Sequence, residues 1–200
     1  MPELTPRQEE ILHAAVALIA EGGIGRLTIK NLARRVRVTE PAVYRHFAGK
    51  GAIVAGVLDL FARGTAAHMA ALEAQPPSLE GVLTFIAGRL EDFSERPAFA
   101  AVVFAEDHFR GDRRLNERVA AVMNTHRDFF TRYISAAQRA GRIRADLPAP
   151  QIFRMVFGAF RLLVKQWRLA PDGGDLRAEG RGLLKALRTV LKGGQPCSAP

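Results

Sequence analysis

Cysteine is almost absent: Cys197 is the only one in 200 residues. A single thiol excludes an internal disulfide framework and a cysteine-rich zinc module, and it fits a reducing cytoplasm. No run approaches the ~18 consecutive apolar residues that span a bilayer. The opening Met1-Pro2-Glu3-Leu4-Thr5-Pro6-Arg7-Gln8 lacks a basic start followed by an apolar stretch, so no secretory signal is expected. Also missing are a nucleophile elbow, an HExxH pair, a dinucleotide fingerprint and a P-loop, so an enzyme is the competing class without a motif behind it and no cofactor is implied. Glu106-Asp107-His108 invites a metal reading. Three consecutive helical residues point in different directions, however, and no His-x3-His spacing supports them, so no metal is expected.

Acidic residues are scarce where basic ones are dense. The net charge is +9. Residues 26–50 hold seven cations (Arg26, Lys30, Arg34, Arg35, Arg37, Arg45 and Lys50) against the single carboxylate of Glu40, whereas residues 51–160 are nearly balanced. A basic patch this local points to a polyanionic partner; a solvated helix face is the alternative. Hydrophobic residues at 48% and charged residues at 24% are ordinary for a folded globular protein.

Punctuation and periodicity predict helices throughout. Thr5-Pro6-Arg7-Gln8 is a capping signature, Ile11, Leu12, Ala15, Val16, Leu18 and Ile19 follow at helical spacing, and Gly22-Gly23 closes the segment. Thr28 and Thr39 are predicted caps of two short helices separated by about three residues, Arg37 and Val38 among them. Their inward residues are Ile29, Leu32, Ala33 and Val36, then Ala42, Val43 and Phe47; joined this tightly, they make a helix-turn-helix. A further helix runs from Lys50 towards Ala71. Pro76-Pro77, Pro97, Gly111, Gly141, Pro148 and the stretch from Pro171 to Gly174 bound helices at about 79–94, 97–109, 112–140, 150–169 and 175–192.

Leu27-Thr28-Ile29-Lys30-Asn31-Leu32-Ala33, then Val38-Thr39-Glu40-Pro41-Ala42-Val43-Tyr44-Arg45-His46-Phe47 and Lys50, resembles the DNA-binding domain of TetR/AcrR-type repressors, over about residues 8–60. The resemblance implies an all-α fold of about nine helices. Residues 1–50 would be the DNA-binding domain, 51–192 a larger helical effector-binding and dimerisation domain, and 193–200 a tail. It implies a cytoplasmic homodimer that binds a double-stranded palindromic operator, with helix 39–45 in the major groove. Carried over position by position, Glu40, Pro41 and Ala42 face bases; Thr39, Tyr44, His46 and Lys50, with Lys30, face phosphates; Arg45 reaches either. The chemistry agrees: Lys and Tyr suit phosphate oxygens, a carboxylate accepts from a cytosine amino group, and an alanine touches a thymine methyl. Packing against the first helix is the alternative for Tyr44 and His46. Arg37 departs from the family, which has glycine in that turn; a left-handed backbone there costs a non-glycine residue ~1–2 kcal/mol.

Helix 150–169 is apolar nearly all round, so burial on two sides is expected. Phe153, Phe157, Val164, Leu183, Leu184, Leu187 and Leu191 are candidate dimer residues, with Gly158 and Ala159 allowing close helix approach; an intramolecular core is the alternative. Phe85, Phe104, His108, Met123, His126, Phe130 and Phe160 are candidate lining for a small, largely apolar effector, against plain core packing. A repressor released by such an effector is the expected function. The alternative is an effector-independent DNA-binding protein of the same fold, with an architectural or division-control role.

Overall fold

The computed structural model describes residues 4–104, 112–170 and 174–192. Among them are nine α-helices: α1 (Pro6–Arg26), α2 (Ile29–Arg35), α3 (Glu40–Tyr44), α4 (Lys50–Glu73), α5 (Leu79–Glu95), α6 (Pro97–Val103), α7 (Arg113–Arg139), α8 (Ala149–Leu169) and α9 (Leu176–Leu191). The only extended pairing among these residues is an isolated bridge between Ile143 and Lys192.

Local chemistry sets the helix starts. In α1 the Gln8 amide donates to Thr5 Oγ1 and the Thr5 amide donates to Gln8 Oε1, a reciprocal capping box. Thr28 Oγ1 accepts from the Asn31 amide, Asp112 Oδ1 from Leu115 and Asp175 Oδ1 from Ala178. Thr39 occupies the N-cap of α3 without a side-chain capping bond, contrary to expectation; its carbonyl alone receives the Ala42 and Val43 amides. Gly22 and Gly23 break the regularity of α1, and Gly23 has a φ of 69°, which glycine adopts without steric cost. The chain then resumes one more turn to Arg26 rather than stopping at the pair.

The chain divides into two compact units, neither contiguous in sequence. The first comprises 1–64 with 96–122, the second 65–95 with 123–200. This differs from the expected boundary near residue 50. The reason is packing: α6 lies against α1, and Ala98, Ala101, Val102, Leu115 and Val119 share one core with Ile11, Leu12, Ile19, Leu32, Val43, Ile53 and Leu58.

In the second unit α5 packs chiefly on α9, and α8 on α9. Gly180 makes the close approach possible, since a Cβ there would meet Leu90 Cδ1 at 2.6 Å. Two forked ion pairs fix the direction of the pair. Arg177, at the start of α9, donates to Glu91 near the end of α5 (2.5 and 2.7 Å). Arg188, near the end of α9, donates twice to Glu80 at the start of α5 (both 2.8 Å), so the helices are antiparallel. These donations hold the Glu80 and Glu91 carboxyls below their ordinary value.

A carboxylate depressed in the folded state stabilises the fold above its unfolded value and loses that contribution as pH falls through its folded value. The melting temperature should therefore decline as pH drops below 4.5, the ordinary value for these groups. Glu80→Gln with Glu91→Gln should make that decline shallower. Both pairs are solvent-exposed, so added salt should flatten the wild-type profile in the same way. Thermal melts across acid pH, at low and high salt, check this.

Candidate nucleic-acid interface

Helix α3 has five residues, fewer than two turns, and holds its place by what flanks it. Val43 is fully buried and Phe47 nearly so, both in the core shared with α1 and α2. Gln8 of α1 donates to the His46 carbonyl at 3.5 Å. With Val43 and Phe47 turned in, Thr39, Glu40, Pro41, Tyr44 and Arg45 are exposed on the other side, Ala42 and His46 are half-buried, and Lys30 and Lys50 are exposed. Tyr44, 53% exposed, is not a packing residue. Lys50 Nζ donates to the Ile24 carbonyl at 2.9 Å, which ties the start of α4 to the end of α1. An ammonium has three donors, so this bond leaves others for a phosphate oxygen.

The turn before α3 has the left-handed residue that the motif needs. Arg37 has a φ of 54° and is the only non-glycine residue with positive φ among those described. The Arg37 and Val38 amides donate to the Arg34 and Ala33 carbonyls, closing the end of α2. Arginine at this position therefore takes up a left-handed backbone.

A second candidate site lies within the second unit. Phe85, Phe130 and Phe157 form a cluster with ring centroids 4.6–6.2 Å apart, flanked by His126 and, through Phe157, by Phe160. Of the expected lining residues, Phe85, His126, Phe130 and Phe160 are brought together here. Met123 is instead 51% exposed, Phe104 caps α6 in the first unit, and His108 lies outside the described residues, as do Glu106, Asp107 and Cys197. Phe157, expected at a dimer face, turns into this cluster. Arg89, which sequence reasoning passed over, is 4% exposed on α5 between Phe85 and Phe93, donates to Thr65 Oγ1 at 2.8 Å and pairs with Asp92. Its signal was positional: Val82, Ile86, Arg89 and Phe93 fall on one helical stripe.

The apolar faces of α8 and α9 need a correction. Val164, Leu187 and Leu191 are buried within the chain and belong to its own core. The exposed apolar stripe of α8 is Met155, Leu162 and Leu169, with Gly158 open to its surroundings; Phe153, Leu183 and Leu184 are half-buried, and Val190 of α9 is exposed.

Residues 11–57 match the family described as "Bacterial regulatory proteins, tetR family", and residues 66–187 match "YsiA-like protein, C-terminal region". The HTH-type transcriptional regulator TtgR of Pseudomonas putida is 25% identical over 182 residues, 87% of this chain and 86% of that protein. The nucleoid occlusion factor SlmA of Vibrio campbellii is 28% identical over 118 residues, 58% of this chain and 60% of that one. The fold is similar to that of the transcriptional regulator FadR from Bacillus subtilis in complex with stearoyl-CoA. The TM-score is 0.76 at 18% identity, covering 90% of this chain and 96% of that one.

Two opposed effects govern Arg37. Glycine would remove a left-handed penalty of ~1–2 kcal/mol but lose about 0.5–1 kcal/mol through the greater freedom of the unfolded chain. The penalty is the larger, so Arg37→Gly should stabilise the protein by about 0.5–1 kcal/mol. The midpoint of urea unfolding reads this directly; a lowered midpoint at unchanged slope would mean that the arginine side chain stabilises the turn.

Proposed function

The chain belongs to the tetR family of bacterial regulatory proteins and is a DNA-binding transcriptional regulator, and from that premise we propose that it is a cytoplasmic repressor. It acts as a homodimer on a palindromic operator and is released by a small, largely apolar effector. The observation that carries the DNA half is the presentation of Thr39, Glu40, Pro41, Tyr44 and Arg45 on a helix whose opposite side is locked by Val43 and Phe47. Family membership points to a regulator rather than an enzyme.

In this reading Tyr44 and Lys50 hold phosphates, and Thr39, His46 and Lys30 add to them, while Glu40, Pro41, Ala42 and Arg45 meet base edges. Glu40 is the diagnostic member, because an anion beside DNA is repelled unless a base donor rewards it. The Phe85–Phe130–Phe157 cluster supports an effector with an apolar body. The structural neighbour that holds stearoyl-CoA makes that compound the first probe to try. The α4 helix carries the chain from one unit to the other without an interruption, which favours it as the element that a ligand moves. The stripe Met155–Leu162–Leu169, with Leu183 and Leu184, supports a self-complementary dimer face. Similarity to SlmA keeps an effector-independent role as the second reading.

Three outcomes are expected. Glu40→Ala should raise non-specific affinity and relax discrimination at one base pair by ~1–3 kcal/mol in a binding-site selection at fixed salt; unchanged base preference would remove Glu40 from the reading set. Leu162→Glu with Leu184→Glu should yield folded monomers by light scattering and lose operator binding together, because both half-sites must be engaged. Stearoyl-CoA should weaken operator binding in fluorescence anisotropy, and Phe157→Ala should blunt that response. A wild-type complex indifferent to it and to a panel of apolar acids and drugs would favour the effector-independent reading.

A further inference from the structure

The basic side chains outside the reading helix are not spread evenly over the surface. A recess of about 360 Å³ opens between the end of α1 and α2, with Leu18 on its floor. Arg26, Arg34, Arg35 and Arg37 line it, together with Asn31 and one carboxylate, Glu21. Four arginines thus border a recess that holds one carboxylate, and that carboxylate pairs with Arg35. Among the described residues Arg26 and Arg37 have no anionic partner. Like charges gathered around a concavity repel one another, and the concavity raises the local field that an anion meets.

The arginines are also positioned. Asn31 Nδ2 donates to the Arg26 carbonyl at 2.9 Å, and Arg34 Nη2 donates to Asn31 Oδ1 at 3.0 Å. Glu21 holds Arg35 from across the recess. The fourth, Arg37, reaches the recess from the left-handed backbone position, where glycine would relieve strain. A costly backbone position thus carries a charge into a recess already crowded with the same charge.

We propose that this recess binds a phosphate-bearing ligand: a backbone phosphate of DNA beyond the operator half-site, or a free oligophosphate group. Planar guanidinium forks match phosphate oxygens pairwise, which ammonium groups do not. The site is separate from the contacts assigned to α3, since none of its lining residues lies in 39–50. The plain alternative is that Arg26, Arg34 and Arg35 merely complement helix C-terminal dipoles, which needs neither convergence nor a ligand.

The test compares the full-length wild type with Arg34→Gln/Arg37→Gln, and with Arg113→Gln/Arg139→Gln as a variant of equal net charge altered elsewhere. Arg34→Gln/Arg37→Gly is a second recess variant in which the strained position is relieved, so a loss of binding shared by both is not a loss of fold. In one arm, inorganic pyrophosphate is titrated by calorimetry at constant ionic strength. In the other, anisotropy measures affinity for duplexes carrying the selected operator with short or long flanks. A free-phosphate site predicts a one-site pyrophosphate isotherm that both recess variants weaken about tenfold or more, with the remote variant unaffected. A DNA-flank site predicts that longer flanks tighten wild-type binding and steepen its salt dependence by about one to two counterions, a gain absent from the recess variants alone. Either result supports the recess and identifies the source of the phosphate. Pyrophosphate binding and flank gain that are both absent, or lost equally in the remote variant, would overturn it. The pyrophosphate arm stands even for a chain that failed to bind any operator, so that failure would count against the operator reading alone.

Discussion

A five-residue helix has no stability of its own, and the rest of the first unit exists to hold one in place. Helix nucleation is unfavourable, and isolated helices below about 12–15 residues are marginal in water. α3 is therefore determined by burial. Val43 and Phe47 insert into a core walled by Ile11, Leu12, Ile19, Leu32 and Leu58, and each fully buried aliphatic or aromatic side chain contributes about 1.5–3 kcal/mol. That burial dictates the rotation of α3 about its axis, and the rotation dictates which residues face outward. The outward placement of Glu40 and Ala42 is accordingly a property of the core beneath them.

The same core explains why α6 belongs with α1 although it lies some seventy residues further along the chain. Ala98, Ala101 and Val102 present small surfaces that let α6 sit close against a helix whose inward residues are large. Small residues exchange side-chain contact for proximity, and a shift of α6 would be felt directly in α1 packing, because close-packed interiors transmit displacement rather than absorb it. The chain leaves this unit twice inside a helix, through α4 and through α7, and returns to it between α5 and α6.

Much of this was legible in the sequence because the signals were local. The capping box at Thr5, the cap at Thr28 and the proline and glycine boundaries place most helix ends within a residue or two, whereas the glycine pair at 22–23 kinks α1 without ending it. The outward side of α3 was legible because Val43 and Phe47 mark the opposite side. What was hidden was the choice between two apolar faces. α8 offers Ile152, Val156, Phe160 and Val164 on one side and Met155, Leu162 and Leu169 on another, and periodicity cannot say which side meets the chain's own helices. Val164, Leu187 and Leu191 fall on the inner side for a reason that periodicity does not carry, and Phe157 with them. Arg89 escaped notice because an arginine is rarely core; only its place in an apolar stripe betrays it. The missing side-chain bond at Thr39 was equally hidden, since a hydroxyl at an N-cap position does not by itself form the bond.

Arg89 also shows what the second unit must satisfy. A guanidinium taken out of water carries a desolvation cost of several kcal/mol, and an ion pair offsets it only with good geometry and further hydrogen bonds. Asp92 and Thr65 supply those partners from α5 and α4. An apolar residue of similar volume would have met the packing need of α5 without that cost, so packing alone does not account for the charge. The Thr65 hydrogen bond ties α5 to α4, while the Asp92 pair lies within α5 itself. A ligand shifts a conformational equilibrium only by its differential affinity for the two states. A displacement of α4 against α5 would cost Arg89 its bond to the Thr65 hydroxyl, worth about 1.5–3 kcal/mol for a bond to a charged group, and would leave its ion pair within α5 intact. The Arg89–Thr65 bond is thus a polar tie between this buried charge and α4, the helix whose first residue, Lys50, donates to the Ile24 carbonyl of α1.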